Sequence, residues 1–372
     1  MTATRPAPGS DVVIIGGGLV GLAAAVALGE RGANVTLLES HRKGMASSAA
    51  AGMLAPAMER AESGNAAHAF ALAARDLYPS YLDALAELTG IRVPLNREGV
   101  LELVVDADAA TARRESVARE SGGRAHWLDR SQLGAIEPAL ASVAGAVLYP
   151  LDGAVDNVAL LRALSVLIEA SPTVTVVDDS AASVELDGDV AAVTLRSGAR
   201  VEAPMLILAA GAWSPLLQGL PRPIPVEPVR GQAISLSSAP LRHVIYGPRG
   251  YVVPRGDSLS VVGATMEHVG FDVAVTAETG PRLAAAASEI APAFARARIV
   301  DHWCGLRPVT PDLLPIIGRD PEYPSLIYAC GHSRNGILLA PLTGECVADL
   351  ACGVAPALDI TPFSVTRFGS TE

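Results

Sequence analysis

The sequence predicts an α/β fold in which a domain built on a parallel sheet is interleaved with a smaller α+β domain that carries a mostly antiparallel sheet. Three observations lead to this fold class. The chain has 372 residues, more than a single hydrophobic core usually accommodates. Residues 11–39 and 326–351 both show the pattern strand, glycine-rich turn, helix. Between them, residues 232–265 alternate apolar and polar side chains, as antiparallel strands do.

The first predicted strand and the turn after it carry the most informative pattern. Val12–Ile15 is a continuous β-branched run, as expected for a strand buried on both faces of a parallel sheet. Gly16, Gly18 and Gly21 follow at G-x-G-x-x-G spacing. In this spacing the first glycine permits a tight turn, the second lets the backbone approach a pyrophosphate, and the third packs helix against strand.

The elements after the turn strengthen this interpretation. Leu19–Arg31 is predicted to be a helix whose free N–H groups point at the phosphate, with Gly32 at its end. Asn34–Leu38 is the second strand, and Glu39 at its tip is placed to accept both hydroxyls of an adenosine ribose. Because these elements stand in the correct order, the segment predicts a Rossmann-type dinucleotide-binding domain.

Composition and charge exclude other classes of protein. Half of the residues are apolar and 18% are charged, which predicts a large buried core. The uncharged stretch Val12–Gly29 contains three consecutive glycines, each costing about 1 kcal/mol in a helix, so neither a membrane span nor a targeting signal is predicted. The formal net charge of −11 disfavours a nucleic-acid partner or an anionic membrane surface.

The four cysteines show no C-x-x-C pair and no zinc-ligand spacing with the histidines. No metal site is therefore predicted, and the thiols are expected to be reduced in a cytoplasmic protein. The chain is also expected to form a homo-oligomer.

Periodicity, caps and turns predict the remaining elements. Asn65–Thr89 is predicted to be a long amphipathic helix interrupted at Pro79, and Asp156 is predicted to cap a helix over Val158–Glu169. Further helices are predicted at Ala109–Glu120, at Pro281–Ala295 and at the end of Leu326–Ala351. Further strands are predicted at Val100–Val105, Gly145–Tyr149, Val174–Val177, Ala182–Leu186, Ala191–Leu195, Val201–Glu202, Met205–Trp213, Gln232–Leu236, Tyr251–Pro254 and Leu259–Thr265.

The order of these elements predicts the domain boundaries. Residues 1–91, 146–226 and 303–372 are assigned to the dinucleotide-binding domain, and residues 92–145 and 227–302 to a substrate-binding domain. Pro221–Pro228 holds four prolines in eight residues and is predicted to cross between the two.

The small-residue stretch Met45–Met58 allows two interpretations. Small side chains let a backbone pack closely against a flat ligand, and the hydroxyls of Ser47 and Ser48 can bond phosphate or ribose. The same composition fits an ordinary alanine-rich helix.

Two arginines in segments punctuated by glycine and proline are candidates for chemistry. Arg307 is flanked by apolar residues, where a buried guanidinium is costly unless it binds a substrate carboxylate. Arg334 stands just before a predicted helix near Gly336, whose N–H groups suit the electron-rich edge of a reduced flavin. For either arginine, an ion pair with an internal acid such as Asp312 is the alternative. The hydroxyl of Tyr251 is a second candidate to bind the same carboxylate as Arg307.

The sequence contains no G-x-S-x-G, H-E-x-x-H or G-x-x-x-x-G-K-[ST] motif. No histidine stands in a setting typical of a general base, and His332 is the only one near a motif. Flavin chemistry accounts for both absences, because an isoalloxazine ring accepts a hydride directly and the protein needs only to bind, orient and exclude water.

Eight segments together resemble a known family: VVIIGGGLVGLAAAVAL, LLES, SSAAAGMLAP, LAAGAWS, YVVPR, VVGATM, CGLRP and GHSRNGILLAP. They are similar to glycine oxidases of the thiamine-biosynthesis type, within the FAD-dependent D-amino-acid oxidase superfamily. The resemblance covers nearly the whole chain. GATM, GLRP and RNGILLAP are far more specific than the glycine-rich turn.

The resemblance implies an FAD-binding domain of Rossmann type and a function. That function is oxidation of glycine, and of sarcosine or other small amino acids, to an imine and then to glyoxylate and ammonia, with O2 reduced to H2O2. A role in thiazole and thiamine biosynthesis follows, with thiazole synthase as a candidate partner. A sarcosine oxidase or a D-amino-acid dehydrogenase is the alternative within this class. A tRNA-modification oxidoreductase and a flavin-binding protein without turnover are alternatives from other classes.

The resemblance also implies the residues of the site. Arg307 binds the substrate carboxylate, Tyr251 hydrogen-bonds it, and Arg334 supports the substrate end of the pocket. Met53 and Met266 line a narrow cavity. The positions expected to contact FAD are Gly16, Gly18, Leu19, Val20, Gly21, Glu39, Ser40, Ala46, Ser47, Ala51, Gly52, Met53, Ala181, Gly211, His332, Ser333, Arg334, Asn335, Gly336, Ile337 and Leu338.

The chain departs from the family pattern at two positions. Ser333 stands where a bulkier, often aromatic residue is usual, which is expected to widen the pocket for N-methylglycine or larger amino acids. Cys304 precedes GLRP where alanine is usual. Related sarcosine oxidases carry a flavin-linking cysteine in a comparable segment, but its spacing to T-P-D differs by one residue here. FAD is therefore expected to bind without a covalent link.

Overall fold

The structure is a computed structural model that describes residues 10–59, 65–119, 123–188 and 190–369. In these ranges the strands are β1 (Val12–Ile15), β2 (Val35–Glu39), β3 (Met53–Leu54), β4 (Leu95–Asn96), β5 (Val100–Val104), β6 (His126–Asp129), β7 (Gly145–Tyr149), β8 (Gly153–Val155), β9 (Val174–Asp178), β10 (Ala181–Asp187), β11 (Val190–Leu195), β12 (Arg200–Ala203), β13 (Met205–Leu208), β14 (Glu227–Leu236), β15 (Val244–Gly247), β16 (Gly250–Arg255), β17 (Leu259–Gly263), β18 (Ile299–Val309), β19 (Ile316–Arg319) and β20 (Leu326–Cys330). The helices are α1 (Leu19–Glu30), α2 (Ala46–Ala49), α3 (Asn65–Thr89), α4 (Ala107–Arg119), α5 (Arg130–Ile136), α6 (Asn157–Glu169), α7 (Thr279–Ile290) and α8 (Gly336–Ala351). Short 3-10 helices cover Gly211–Leu216, Pro292–Arg296, Thr361–Phe363 and Val365–Phe368.

A six-stranded sheet with the order β19-β20-β13-β1-β2-β9 forms the centre of the larger domain. Its strands are parallel except β19, which runs antiparallel to β20. Helices α1, α3, α6 and α8 cover one face, where Ile14, Ile207 and Ile327 are buried. The three-stranded sheet β10-β11-β12 covers the other face. Because both faces are covered, the central strands β1 and β13 are apolar throughout, as Val12–Ile15 predicts.

An eight-stranded sheet with the order β18-β14-β17-β16-β15-β5-β7-β6 forms the smaller domain. Neighbouring strands in it are antiparallel except β15 and β5. Helix α7 packs against it over Ile234, Val252 and Val262. The predicted fold class, a Rossmann-type domain with a mostly antiparallel second sheet, is therefore confirmed.

The two sheets alternate along the chain. Strands β5–β7 and β14–β18 form the antiparallel sheet, and the parallel sheet takes its strands from before, between and after them. Strand β7 crosses the predicted boundary between residues 145 and 146, and β18 crosses that between 302 and 303. The domain boundaries themselves stay a prediction.

Helix α3 differs from the sequence prediction. It continues through Pro79, so the predicted interruption is wrong. A proline inside a helix costs about 3 kcal/mol. However, Phe70, Tyr78 and Leu82 of this helix are buried in the core, and full burial of each such side chain contributes about 1.5–3 kcal/mol. Packing therefore outweighs the proline.

Other differences lie at the ends of elements. The strand predicted at Met205–Trp213 ends at Leu208, and the helix predicted at Pro281–Ala295 divides at Pro292 into α7 and a 3-10 helix. Helix α4 begins two residues before the predicted Ala109, and its predicted last residue, Glu120, lies outside the described residues. No helix in the described ranges is long and apolar enough to cross a membrane.

Candidate functional site

A large cavity of about 1060 Å³ lies between the two sheets. Its lining includes Ile15, Glu39 and Ala209 at the carboxyl edge of the parallel sheet, and Tyr251 and Arg307 on the antiparallel sheet. Ligands of open α/β sheets bind at this carboxyl edge. Ligand pockets usually measure about 300–1,000 Å³. The cavity therefore has room for a dinucleotide and a small second molecule.

The turn after β1 has the geometry that the glycine spacing predicts. Gly16 has a φ of 113°, and a Cβ there would lie 2.5 Å from the carbonyl oxygen of Ala209. A Cβ on Gly21 would lie 1.9 Å from the carbonyl oxygen of Gly16, so α1 packs directly against the turn. Gly16 and Gly18 line the cavity, whereas Gly21 is not among its lining residues. Gly21 therefore supports the turn by packing.

Ser47 completes the amino end of α1. Its Oγ accepts a hydrogen bond from the Leu19 N–H at 3.0 Å. The hydroxyl proton stays available to an oxygen in the cavity, which Ser47, Leu19 and Val20 all line. Ser48 instead donates to the carbonyl oxygen of Met45 at 3.1 Å and is not a lining residue. Of the two candidate serines, the structure therefore places only Ser47 at the cavity.

Glu39 lies at the carboxyl end of β2 with its carboxylate against the glycine turn. Its Oε1 accepts a hydrogen bond from the His41 N–H at 2.7 Å, and a Cβ on Gly17 would lie 2.0 Å from Oε2. Gly17 was not singled out from the sequence, although it stands within the motif. Ser40, Ala46, Ala51, Gly52, Ala181 and Gly211 line the same cavity, as predicted from the resemblance.

Arg307 extends from β18 into the cavity. Its Nη1 donates to the carbonyl oxygen of Thr265 at 3.0 Å. Gly231 on the neighbouring β14 makes room for the guanidinium, since a Cβ there would lie 2.3 Å from Nη1. Within the described part of the chain, no carboxylate forms an ion pair with Arg307. The guanidinium therefore keeps donors for an anionic ligand.

Tyr251 on β16 lies close to this guanidinium. Burial raises the pKa of the Tyr251 hydroxyl, and the positive charges of Arg307 and Arg255 oppose the increase. The phenol is therefore neutral at physiological pH and can donate a hydrogen bond. Its ring packs over Gly263, where a Cβ would lie 2.5 Å from the Tyr251 oxygen. Arg307 and Tyr251 thus present their donors in one region of the cavity.

Arg334 lines the cavity and forms an ion pair with an acidic side chain. Its Nε is 3.3 Å from Oε2 of Glu59. Arg334 therefore forms an ion pair, which was the alternative stated from the sequence, but its partner is Glu59 and not Asp312. Asp312, the acid named from the sequence, pairs with Arg367 at 2.6 Å. The role of Arg334 at the substrate end of the pocket stays a prediction.

Met53 and Met266 both line the cavity. Met53 is half-buried on β3, whereas the side chain of Met266 is 61% exposed. The cavity therefore opens to solvent beside Met266.

The segment before α8 lies against the cavity. His332–Ile337 line it, whereas Leu338 is not among the lining residues. Asn335 provides no side-chain cap, so the first N–H groups of α8 lack partners within the helix. Burial lowers the pKa of His332 to about 3, and its Nε2 is 3.1 Å from Oγ1 of Thr343. His332 is therefore a neutral, structurally bonded residue.

The thiol of Cys304 points away from the cavity. Its Sγ donates to the carbonyl oxygen of Val273 at 3.0 Å, and Cys304 is not a lining residue. Burial raises the pKa of this thiol, which keeps it protonated and unreactive. Among the described residues, no group of three or more His, Cys, Asp or Glu side chains is arranged to hold a metal ion.

Residues Met45–Met58 form one wall of the cavity. This wall contains only the four-residue helix α2 and the two-residue strand β3, so most of it is irregular. Side chains that the sequence analysis missed hold it in place. Trp303 donates from Nε1 to the carbonyl oxygen of Ala49 at 2.9 Å. The buried carboxylate of Asp152 accepts hydrogen bonds from two N–H groups at the end of the wall, at 3.1 and 3.0 Å, and from Arg75 at 2.9 Å. These partners are distant in sequence, so no local pattern indicates them.

Three further arginines line the cavity, Arg42, Arg196 and Arg249. Arg249 forms an ion pair with Glu289. The guanidinium carbon of Arg42 lies 5.7 Å from the ring centroid of Trp213. Burial and the charge of Arg196 lower the pKa of Arg42.

A Rossmann-type sheet whose carboxyl edge opens into a cavity shared with an antiparallel sheet defines a class of flavin-dependent oxidoreductases. The chain belongs to the family described as FAD dependent oxidoreductase, whose model matches residues 11–350. Within it, the chain is 34% identical to a glycine oxidase of Geobacillus kaustophilus, over 96% of this chain and 97% of the relative. The crystal structure of glycine oxidase from Geobacillus kaustophilus superposes with a TM-score of 0.89 at 33% identity, covering 96% of this chain and 98% of that one.

A second group of relatives is longer. The chain is 36% identical over 91% of its length to a protein of Nostoc sp. named Bifunctional protein ThiO/ThiG, and it spans 52% of that relative. The chain thus covers about half the length of such relatives. The family resemblance predicted from the sequence is confirmed.

Proposed function

We propose that this protein catalyses the FAD-dependent oxidative deamination of glycine. The observation that carries the proposal is the guanidinium of Arg307, which lies in the cavity near the Tyr251 hydroxyl and pairs with no carboxylate of the described ranges. The carboxylate of a small amino acid supplies the missing partner. The glycine turn and Glu39 line another part of the same cavity, and both fit a dinucleotide.

The residues of the cavity fit FAD. The N–H groups at the start of α1 and the hydroxyl of Ser47 are placed for a pyrophosphate, and Glu39 is placed for a ribose. The segment His332–Ile337 supplies N–H donors for the ring system. When bound, FAD supplies the two-electron acceptor that O2 reoxidises. The link is non-covalent, since the protonated thiol of Cys304 points away from the cavity.

In this proposal the protein orients the substrate and excludes water. Arg307 and Tyr251 bind the substrate carboxylate, and Arg334 supports that end of the pocket. Met53 and Met266 line the space that a substrate side chain would occupy. His332, the one histidine among the described lining residues, has its pKa lowered to about 3 by burial and does not accept the proton of the amine. The amine is deprotonated by solvent. The imine product hydrolyses to glyoxylate and ammonia, and O2 becomes H2O2.

Sarcosine is a second candidate substrate because of Ser333. This residue has a φ of 49°, and its N–H donates to the carbonyl oxygen of Pro308 at 2.9 Å. Its hydroxyl donates to the carbonyl oxygen of Gly331 at 3.4 Å. The small side chain is thus turned toward the backbone, which leaves space in the cavity for an N-methyl group.

Anaerobic mixing of the FAD-loaded protein with glycine, sarcosine and D-alanine in parallel tests the proposal. Glycine is expected to bleach the flavin absorbance and to yield glyoxylate, and admission of air is expected to yield H2O2. Bleaching by D-alanine without H2O2 formation would instead indicate a D-amino-acid dehydrogenase. A protein that binds FAD but is bleached by none of the three amino acids would contradict the proposal.

We propose that the imine product enters thiazole assembly in thiamine biosynthesis, with thiazole synthase as the partner. The support is the similarity to relatives named Bifunctional protein ThiO/ThiG, in which a region similar to this chain belongs to a longer protein.

Replacing Glu39 by glutamine is expected to weaken FAD binding by about 10–100-fold, because hydrogen bonds to a charged group contribute about 1.5–3 kcal/mol. Reconstitution of the apoprotein with FAD, followed by flavin fluorescence, measures the Kd. Glu185→Gln is the control, since the side chain of Glu185 is 63% exposed and pairs with Arg200 away from the cavity. Equal Kd values for the two variants would show that Glu39 does not bind the cofactor.

A further inference from the structure

We infer that Arg255 is a positioning residue of the cofactor site. It acts by binding backbone carbonyls in the segment Ser47–Met53 of the wall Met45–Met58. The inference rests on the proposed function, because it concerns how this wall presents donors to FAD. Arg255 ends β16 and is not itself a lining residue. Its effect on the cavity therefore passes through the wall.

The guanidinium of Arg255 binds neutral acceptors from three places in the chain. Nη1 donates to the carbonyl oxygen of Val155 at 2.7 Å. Nη2 donates to the carbonyl oxygen of Ala51 at 2.8 Å and to Oδ1 of Asn157 at 2.9 Å. One side chain of the antiparallel sheet thus joins β8, the amino end of α6 and the wall.

Asn157 extends the same contact along the wall. It is buried, and its Nδ2 donates to the carbonyl oxygen of Ser47 at 2.8 Å and lies 3.4 Å from that of Ser48. We call Arg255 and Asn157 the carbonyl clamp. The clamp binds the wall both at Ser47, whose hydroxyl faces the cavity, and at Ala51.

The clamp determines the direction of an N–H donor. In a trans peptide the C=O and the next N–H point in opposite directions. Because Arg255 holds the Ala51 carbonyl on the far side of the wall, the Gly52 N–H is directed toward the cavity that Gly52 lines. No acceptor for this N–H occurs among the residues that the structure describes. The backbone is packed tightly here, since a Cβ on Gly52 would lie 2.0 Å from the Val155 oxygen.

The clamp also places a positive charge behind the wall. No carboxylate of the described ranges forms an ion pair with Arg255. Burial lowers the pKa of Arg255, and the charge of the nearby Asp156 opposes this decrease. A guanidinium keeps its charge at physiological pH. A fixed charge in a poorly solvated site stabilises negative charge that develops nearby. Arg255 therefore both orients a donor and favours an electron-rich ligand in the cavity.

The test compares Arg255→Met and Arg255→Lys with the parent protein. Two quantities are measured, the Kd of FAD for the apoprotein and the Kd of sulfite for the FAD-loaded protein, since sulfite adds to the flavin as an anion. Arg255→Met is expected to weaken both by about tenfold or more. Arg255→Lys retains the charge and is expected to recover sulfite affinity more fully than FAD affinity. Arg242→Met is the matched control, because Arg242 is 72% exposed and pairs with Glu98.

If Arg255→Met does not fold, the variant Asn157→Asp tests the inference. An aspartate at the amino end of α6 is compatible with the helix and can still accept from Arg255. However, its negative charge offsets that of Arg255 at direct contact, and it no longer donates to the Ser47 carbonyl. Sulfite affinity is expected to fall by about tenfold or more. Parent-like affinities in these variants would overturn the inference and leave the proposed function intact. Failure of the parent itself to bind FAD would instead refute the proposed function.

Discussion

Arg307→Ala is expected to lower kcat/KM for glycine by about 10²–10⁴-fold, because two charge-assisted hydrogen bonds to a carboxylate contribute about 3–5 kcal/mol together. Most of the loss is expected in KM, since the carboxylate does not change during the reaction. Arg307→Lys retains the charge but not the planar pair of donors, and an intermediate value is expected. Steady-state H2O2 production measures both constants.

Two controls separate substrate binding from damage to the fold. The Kd of FAD is expected to stay at the parent value in Arg307→Ala, since the guanidinium contacts the Thr265 carbonyl and the Tyr251 hydroxyl and not the part of the cavity at the glycine turn. Arg298→Ala removes an exposed arginine and is expected to leave kcat/KM unchanged. An Arg307→Ala enzyme that oxidises glycine as well as the parent would refute the role assigned to Arg307.

Asp152→Ala is expected to lower the free energy of unfolding by about 3–5 kcal/mol, the usual result of removing one partner of a buried ion pair. The side chain of Asp152 is fully buried and that of Arg75 is 8% exposed. The substitution also leaves two N–H groups at the end of the wall Met45–Met58 without their acceptor. Urea unfolding of the FAD-loaded protein, followed by circular dichroism, measures the change.

Asp76→Ala is the matched control, because Asp76 binds the same guanidinium at 2.7 Å but its side chain is 64% exposed. An exposed ion pair contributes about 0–1 kcal/mol, so this variant is expected to stay close to the parent protein. If the two variants lose equal stability, the buried contact of Asp152 has no special weight in the fold.

Much of the dinucleotide-binding half is predictable because its signals are local. A β-branched run, a glycine at a φ of 113° and an acid at the end of the next strand lie within residues 12–39. Their geometry depends mainly on neighbouring residues, so the succession of strand, glycine turn, helix and second strand follows from the sequence. The strands β3, β4 and β8, of two or three residues each, were missed because they are too short to show periodicity.

The site is predictable only in part. Arg307, Tyr251 and the residues before α8 were found through their motifs, and all line one cavity. Arg334 stands in an equally specific motif, but its pairing with Glu59 was not foreseen. Asp152 stands in no motif, and Arg255 ends the segment YVVPR without a local pattern that indicates its contacts, although both bind the wall beside the cavity.

The sequence by itself determined the class of fold, the position of the glycine turn and the residues able to bind a carboxylate. The tertiary structure alone decided which arginines pair with an acid, which stay open to a ligand, and which side chains hold the wall at Met45–Met58. The physical reason is that propensity, turns and periodicity act between near neighbours in the chain. Burial and ion pairing join residues such as Ala51 and Arg255, which are 204 positions apart.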